Sequence, residues 1–305
     1  MVTQKIRHWL FRHPERRFPF QKPPLRVAAQ GVDERLEEEM GTFSLFVAAL
    51  MIAPLAFVVL VLVEVFKNGM NAGISSAITY LVAWLVLAVF FLPFIWRKVR
   101  AMRDLHLGLM AERLIGQTLE QTRAWNCAVF HDLVIDGASG RFNIDHLVIG
   151  DRGIFVIETK GRSKPRKGEP RVKFDGNRLT FADGLITEDP LRQAAANVQW
   201  VRHRLFQLVR EKPSPACRLT DELQLPVIPV VAYPGWYVDF SEAKACGSKT
   251  LVTNENLLLG CLQSCPPVLT KEETTELIEV LDASLRKQRK HLVENPQHRG
   301  CFLGI

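Results

Sequence analysis

Residues Phe142 to Arg162 read FNIDHLVIGDRGIFVIETKGR. Two aliphatic runs flank the turn-forming tetrapeptide Gly150-Asp151-Arg152-Gly153, which predicts a β-hairpin with strands over 142–149 and 153–160. Strand side chains alternate between faces, so Glu158 and Lys160 point the same way. If Asp151 and Arg152 form a two-residue loop, Gly150 opposes Gly153, and counting outward sets Asp145 opposite Glu158. A bulged three-residue turn would shift that register by one residue. Like charges directly across a ladder destabilise a sheet. A hard divalent cation held by carboxylate oxygens, Mg2+ (or Mn2+), removes the conflict, with Asp145 and Glu158 as its ligands. Lys160 beside it would orient a water molecule or stabilise charge developing at phosphorus. On the hairpin alone, a sheet rim bridged by a Glu158–Lys160 ion pair explains the same residues.

The rest of the chain supplies a setting for this patch. Over 305 residues the net charge is +7 and the pI about 9.2, which suits a polyanionic partner, either nucleic acid or an anionic membrane leaflet. Cys127, Cys217, Cys246, Cys261, Cys265 and Cys301 show no CxxC spacing, and no histidine pair completes a zinc site beside Cys261 and Cys265. They read as scattered reduced thiols. Residues 1–42 form a polar arm, basic from Lys5 to Arg26 and then acidic from Asp33 to Glu39. Prolines at 14, 19, 23 and 24 predict little regular structure there, and the charge argues against a cleavable leader. Phe43 to Phe66 holds one charge, Glu64, and Ala77 to Trp96 holds none. Each block reaches the roughly 20 apolar residues needed to cross a bilayer as a helix. Tyr80 and Trp96 stand near the ends of the second block, where interfacial aromatics belong. Arg97, Lys98, Arg100 and Arg103 flank it, while the connecting loop 67–76 has one basic residue. The positive-inside rule then predicts a multi-pass helical hairpin over 43–96 in an inner or plasma membrane, with a short external loop and both termini cytoplasmic.

Beyond the hairpin a core over 101–210 is expected, and 211–305 forms a C-terminal extension completing the cytoplasmic domain. A helix over 102–121 places Met102, Leu105, Leu109, Glu112, Gly116 and Leu119 on one face. Glu112 therefore either meets a cation or rests at the edge of the core. A strand over 127–135 precedes the hairpin. After it, Arg162, Lys164, Arg166, Lys167, Arg171 and Lys173 form a basic stretch able to hold a nucleic-acid backbone, though such runs are commonly solvated loops. VKFDGNRLTF reads as a strand pair turning at Asp175-Gly176-Asn177. Asp189 is expected to cap a helix with Pro190 at its first position. Its buried stripe is Leu191, Ala194, Ala195, Val198, Val201, Leu205 and Leu208, with Gln193 in the first turn. Strands over 223–233 and 250–253 and helices from 255 and over 271–290 follow. The order α-β-β-β-α-β predicts an α/β fold, a mixed sheet flanked by helices.

From Leu107 to Leu208 the chain resembles NERD, the nuclease-related domain, a branch of the PD-(D/E)xK superfamily. The residues carrying the likeness are Ala111-Glu112-Arg113 with Gly116, Phe142-Asn143-Ile144-Asp145-His146 with Gly150, Gly153 to Lys160, and Asp189-Pro190 with Gln193. Ala111 stands where the family usually has glycine. The resemblance implies a restriction-endonuclease-like core with Asp145 and Glu158 as metal ligands, Lys160 as the catalytic lysine, and Glu112 and Gln193 as supporting residues. It implies hydrolysis of nucleic acid, DNA in the first instance, and the two apolar blocks set that activity on a lipid bilayer. Homo-oligomers are compatible with it, because enzymes of this superfamily often act on duplexes as dimers. Two rival functions share these features: a non-catalytic nucleic-acid-binding or signalling module that retains the fold, and a scaffold docked to anionic lipid.

Overall fold

The computed structural model describes residues 30–137, 140–211, 221–245 and 247–294, and it separates into two compact units, one built on residues 33–106 and one on residues from Leu107 onward. The basic residues between Lys5 and Arg26, and Cys217, Cys246 and Cys301, lie outside the described residues.

The first unit is a pair of antiparallel helices. Helix α1 spans Gln30–Asn68, and α2 begins at Met70 and ends at Leu119. Phe46 meets Phe94 edge-on at 5.5 Å, Phe57 stacks on Tyr80 at 5.4 Å, and the Trp84 indole N–H donates to the Leu50 carbonyl at 3.5 Å. The expected loop over 67–76 shrinks to Gly69, whose φ of +85° lets the chain reverse where a side chain would be strained. Gly73 allows the close approach that follows, since a Cβ there would lie 2.1 Å from Val65 Cγ2. Residues 30–42, expected to lack structure, are helical. They contain no proline and four glutamates, which favour helix, and Glu39 pairs with Lys98 at 2.7 Å. Likewise, the helix expected over 102–121 is the end of a continuous α2. Both helices are long and apolar enough to cross a bilayer, and large side chains such as Leu55 and Phe90 stand exposed along them.

The second unit is built on a five-stranded mixed sheet in the order β1-β2-β3-β7-β9. Strands β1 (Ala128–Gly137), β2 (Gly140–Gly150) and β3 (Gly153–Thr159) form an antiparallel meander. The register of the hairpin is the two-residue-loop alternative, with Gly150 opposite Gly153 and His146 opposite Ile157. Strands β7 (Val227–Ala232) and β9 (Leu251–Thr253) run parallel to β3. All seven residues of β3 are buried because helices cover both faces. Leu147, Ile149, Ile154 and Val156 point toward Val198, Val201 and Leu205 of α3 (Asp189–Glu211) and Leu277 and Leu281 of the last helix, Lys271–Glu294. The intervening Val148, Phe155 and Ile157 pack against Ile115 and Leu119 of α2 and Leu258 and Leu262 of the helix Leu258–Ser264.

A second, four-stranded sheet was not foreseen as separate. It consists of β4 (Arg171–Phe174), β5 (Leu179–Phe181), β6 (Ile186–Thr187) and β8 (Tyr237–Asp239), in the order β6-β5-β4-β8. The β4–β5 turn forms as its sequence predicts, the Asp175 carboxylate accepting the amides of Asn177 and Arg178. Strand β8 and the short helix α4 (Ser241–Ala245) have no counterpart among the elements expected from sequence. The inner face of this sheet packs Phe174, Leu179 and Phe181 against Leu191, Tyr233 and Trp236. With α4 so placed, the two later helices are α5 (Leu258–Ser264) and α6 (Lys271–Glu294).

Candidate active site

The residues expected at the site converge on the C-terminal end of β3. Glu158 is its penultimate residue, 2 % exposed, and Asp145 of β2 is 8 % exposed. The Lys160 ammonium donates to Glu158 Oε1 at 2.7 Å and to Gln193 Oε1 of α3 at 2.8 Å. Backbone bonding holds this corner: the Lys160 amide donates to the Ala232 carbonyl at 2.9 Å, and the Thr159 amide donates to Asp145 Oδ2 at 2.7 Å. Asp145, Glu158, Lys160 and Gln193 are therefore brought together from three elements. Glu112 of α2 joins them through charge. Burial, then Asp132 and Glu158, push its carboxyl up to about 8. Asp145 is held well above the usual carboxylate range by burial, with Glu158 and Glu112 adding repulsion. Burial also raises Glu158, against the pull of Lys160 and of the Asn197 amide. Three acids and one amine thus share a poorly solvated corner in which negative charge is under-compensated.

Asn197 is a residue not expected at the site from sequence. Its side chain donates to Glu158 Oε2 at 3.1 Å, so Lys160 and Asn197 between them engage both oxygens of that carboxylate. The available signal was its spacing, four residues after Gln193 and hence on the same helix face. Ala195, expected on the buried stripe, is instead exposed, and Asn197 is buried. The expected cap also differs: Asp189 takes the Arg192 guanidinium, and the Glu188 carbonyl receives the amides of Leu191 and Arg192.

On the face of the sheet that α2 covers, away from Glu158, His146 Nδ1 lies 2.8 Å from His131 Nδ1, and His131 Nε2 lies 2.9 Å from Glu120. Burial, with His131 beside it, drives the His146 imidazole down to about 3, so it is a neutral packing group here.

The basic stretch is partly committed within the fold. Arg162 binds Asp183 at 2.5 Å and lies 4.3 Å over the Phe181 ring, Lys173 binds Glu242 at 2.7 Å, and Arg171 binds Glu169 at 3.2 Å while covering Tyr237. Lys164 is half-buried, and Arg166 and Lys167 are exposed.

Hard carboxylate oxygens are donors suited to magnesium, and a cation would relieve the mutual repulsion of these acids. Among the described residues no group of three or more His, Cys, Asp or Glu closes around an ion. The fit is therefore to an ion that takes one or two carboxylates and fills its other positions with water and substrate phosphate.

Residues 107–234 match the family model described as nuclease-related domain, NERD. No curated protein and no solved structure matches the chain.

Proposed function

We propose that this nuclease-related domain hydrolyses phosphodiester bonds of nucleic acid, DNA in the first instance, in a metal-dependent reaction at the cytoplasmic face of a membrane. The observation that carries the reading is the Lys160 ammonium held between Glu158 and Gln193, with Asp145 and Glu112 bearing on the same corner. Asp145 and Glu158 would hold Mg2+ (or Mn2+). Such an ion, when bound, makes water more acidic and neutralises charge on a phosphoryl oxygen. Lys160 is a fixed donor of positive charge that orients the attacking water or stabilises the oxygen on which charge builds. Gln193 steadies the lysine through Oε1, which leaves its amide N–H groups for a phosphate. Glu112 keeps its proton up to about pH 8 in the absence of a cation, and proximity to one favours its ionised form. The membrane placement rests on the two apolar helices and on the basic residues Arg97, Lys98, Arg100 and Arg103 at their polar end.

Engagement of both Glu158 oxygens from within, by the Lys160 ammonium and the Asn197 amide, favours a second reading in which the fold binds nucleic acid or signals without cleaving. One experiment separates the two. Full-length protein in detergent is assayed on duplex and single-stranded DNA and on RNA with Mg2+, Mn2+ or a chelator, alongside Asp145→Asn and Lys160→Met. Metal-dependent cleavage that falls by about a hundredfold or more in both variants supports hydrolysis. Cleavage equal to wild type in the variants refutes the site. Salt-sensitive binding without cleavage establishes the second reading.

A further inference from the structure

Among the described residues, the pairing of β1 with β2 is interrupted once, at the level of the acids. Asp132, within β1, has a φ of +50°, a left-handed backbone that few non-glycine residues adopt. The other described example, Asn126, ends a 3-10 turn, whereas Asp132 is in mid-strand. Pairing of β1 with β2 runs to His131–His146, omits one residue on each strand and resumes at Leu133–Ile144. The omitted residues are Asp132 and Asp145. Side-chain facing changes at the same place. Phe130 and Leu133, three apart, both pack on the apolar cluster beneath α3 and α6, and so do Ile144 and Leu147. An unbroken period of two would send residues three apart to opposite faces. The β2–β3 pairing also stops here, its last partners being His146 and Ile157. Beyond that pair the Thr159 amide turns to the Asp145 side chain at 2.7 Å.

We infer that Asp132 is a positioning residue for this site: its left-handed backbone shifts the phase of β1 and β2 by one residue, and that step delivers the Asp145 carboxylate to the Thr159 amide beside Glu158. After glycine, Asp and Asn tolerate this backbone best, whereas a Cβ without a short polar group, and above all a β-branched side chain, opposes it. The inference concerns the site of the proposed hydrolysis, but its test needs no catalysis.

The test is hydrogen exchange resolved to the Thr159 amide in full-length, detergent-solubilised protein carrying Asp132→Gly, Asp132→Asn, Asp132→Ala or Asp132→Val. The Gly and Asn variants are expected to keep Thr159 protected within about twofold of wild type, and the Ala and Val variants to exchange about tenfold faster or more, with Val156 unchanged in all. Glycine separates conformation from charge, since it restores the first and lacks the second. If wild-type protein cleaves nucleic acid, rates follow the same order; if it does not, the exchange ranking still decides. Equal protection of Thr159 in the Ala and Val variants overturns the inference. So does loss in the Gly variant as large as in Ala, or loss that extends equally to Val156. Should the Val variant fail to fold, the difference in Thr159 protection between the Gly and Ala variants decides in the same way.

Discussion

Glu112→Gln should make the protein more stable at alkaline pH, and the structure sets the size of the gain. A carboxyl whose native pKa exceeds its unfolded one binds its proton more tightly when folded, so its contribution is most favourable at low pH and is lost as pH rises toward the native value. For Glu112 that window runs from 4.5 to about 8. At about 1.36 kcal/mol per unit the full shift is worth up to about 5 kcal/mol. The side chain is only partly buried, and solvent reduces this to about 2–3 kcal/mol. Glutamine preserves the shape and cannot ionise, so the loss disappears. At about 2–4 °C per kcal/mol for a globular unit of this size, the variant should melt about 5–10 °C above wild type at pH 9, with no gain at pH 4. Thermal unfolding of full-length protein in detergent and chelator, followed from pH 4 to 9, measures this directly. Parallel curves for the two proteins would refute the placement of Glu112 in the acidic corner. Adding Mg2+ at pH 9 should raise the wild-type midpoint more than the variant's, because an ion beside the cluster offsets the repulsion that raised Glu112.

Three further outcomes follow from individual contacts. Asn197→Ala removes the donor to Glu158 Oε2 and should cost about 1–3 kcal/mol at pH 7, with a smaller loss at pH 4; an unchanged melting midpoint would contradict the 3.1 Å bond. Gly161→Ala sets a Cβ 2.7 Å from the Leu107 carbonyl oxygen and should destabilise by about 1–3 kcal/mol, whereas Gly260→Ala meets nothing within 4 Å and should be tolerated; chemical denaturation of both variants checks the contrast. His146 titrates at about 3 when folded and near 6.5 when unfolded, so the unfolded chain takes its proton first and stability drains away as pH falls from 6.5 toward 3. His146→Gln should flatten that acid limb, and a stability slope unchanged between pH 4 and 6 would count against it.

Much of this arrangement was legible in local pattern. The glycines of Gly150-Asp151-Arg152-Gly153 define a two-residue turn, and from it the register of β2 on β3 follows by counting, through to His146–Ile157. Apolar length alone marks the two helices of the first unit. The less legible features depend on partners distant in sequence. Strand β8 pairs in parallel with β4 some sixty residues earlier, and three residues are too few to carry a periodic signal. Residues 30–42 look like an arm until Lys98, on the other helix, meets Glu39. Arg162, one of a run of cations, is drawn to Asp183 and the Phe181 ring by a sheet that its own neighbourhood does not announce.

Local pattern was enough to say which residue types could meet: alternation set Glu158 and Lys160 on one face, and helical spacing turned Glu112 inward and set Gln193 beside the buried stripe of α3. Only the folded sheet decided how they meet. The left-handed step at Asp132 displaces Asp145 from the ladder onto the Thr159 amide, and α3 brings Asn197 to the far oxygen of Glu158. The physical reason is that strand and helix periods are local properties of a backbone. Burial, repulsion between carboxylates and the direction of a hydrogen bond instead arise between segments, where the chain's path through space sets the distances.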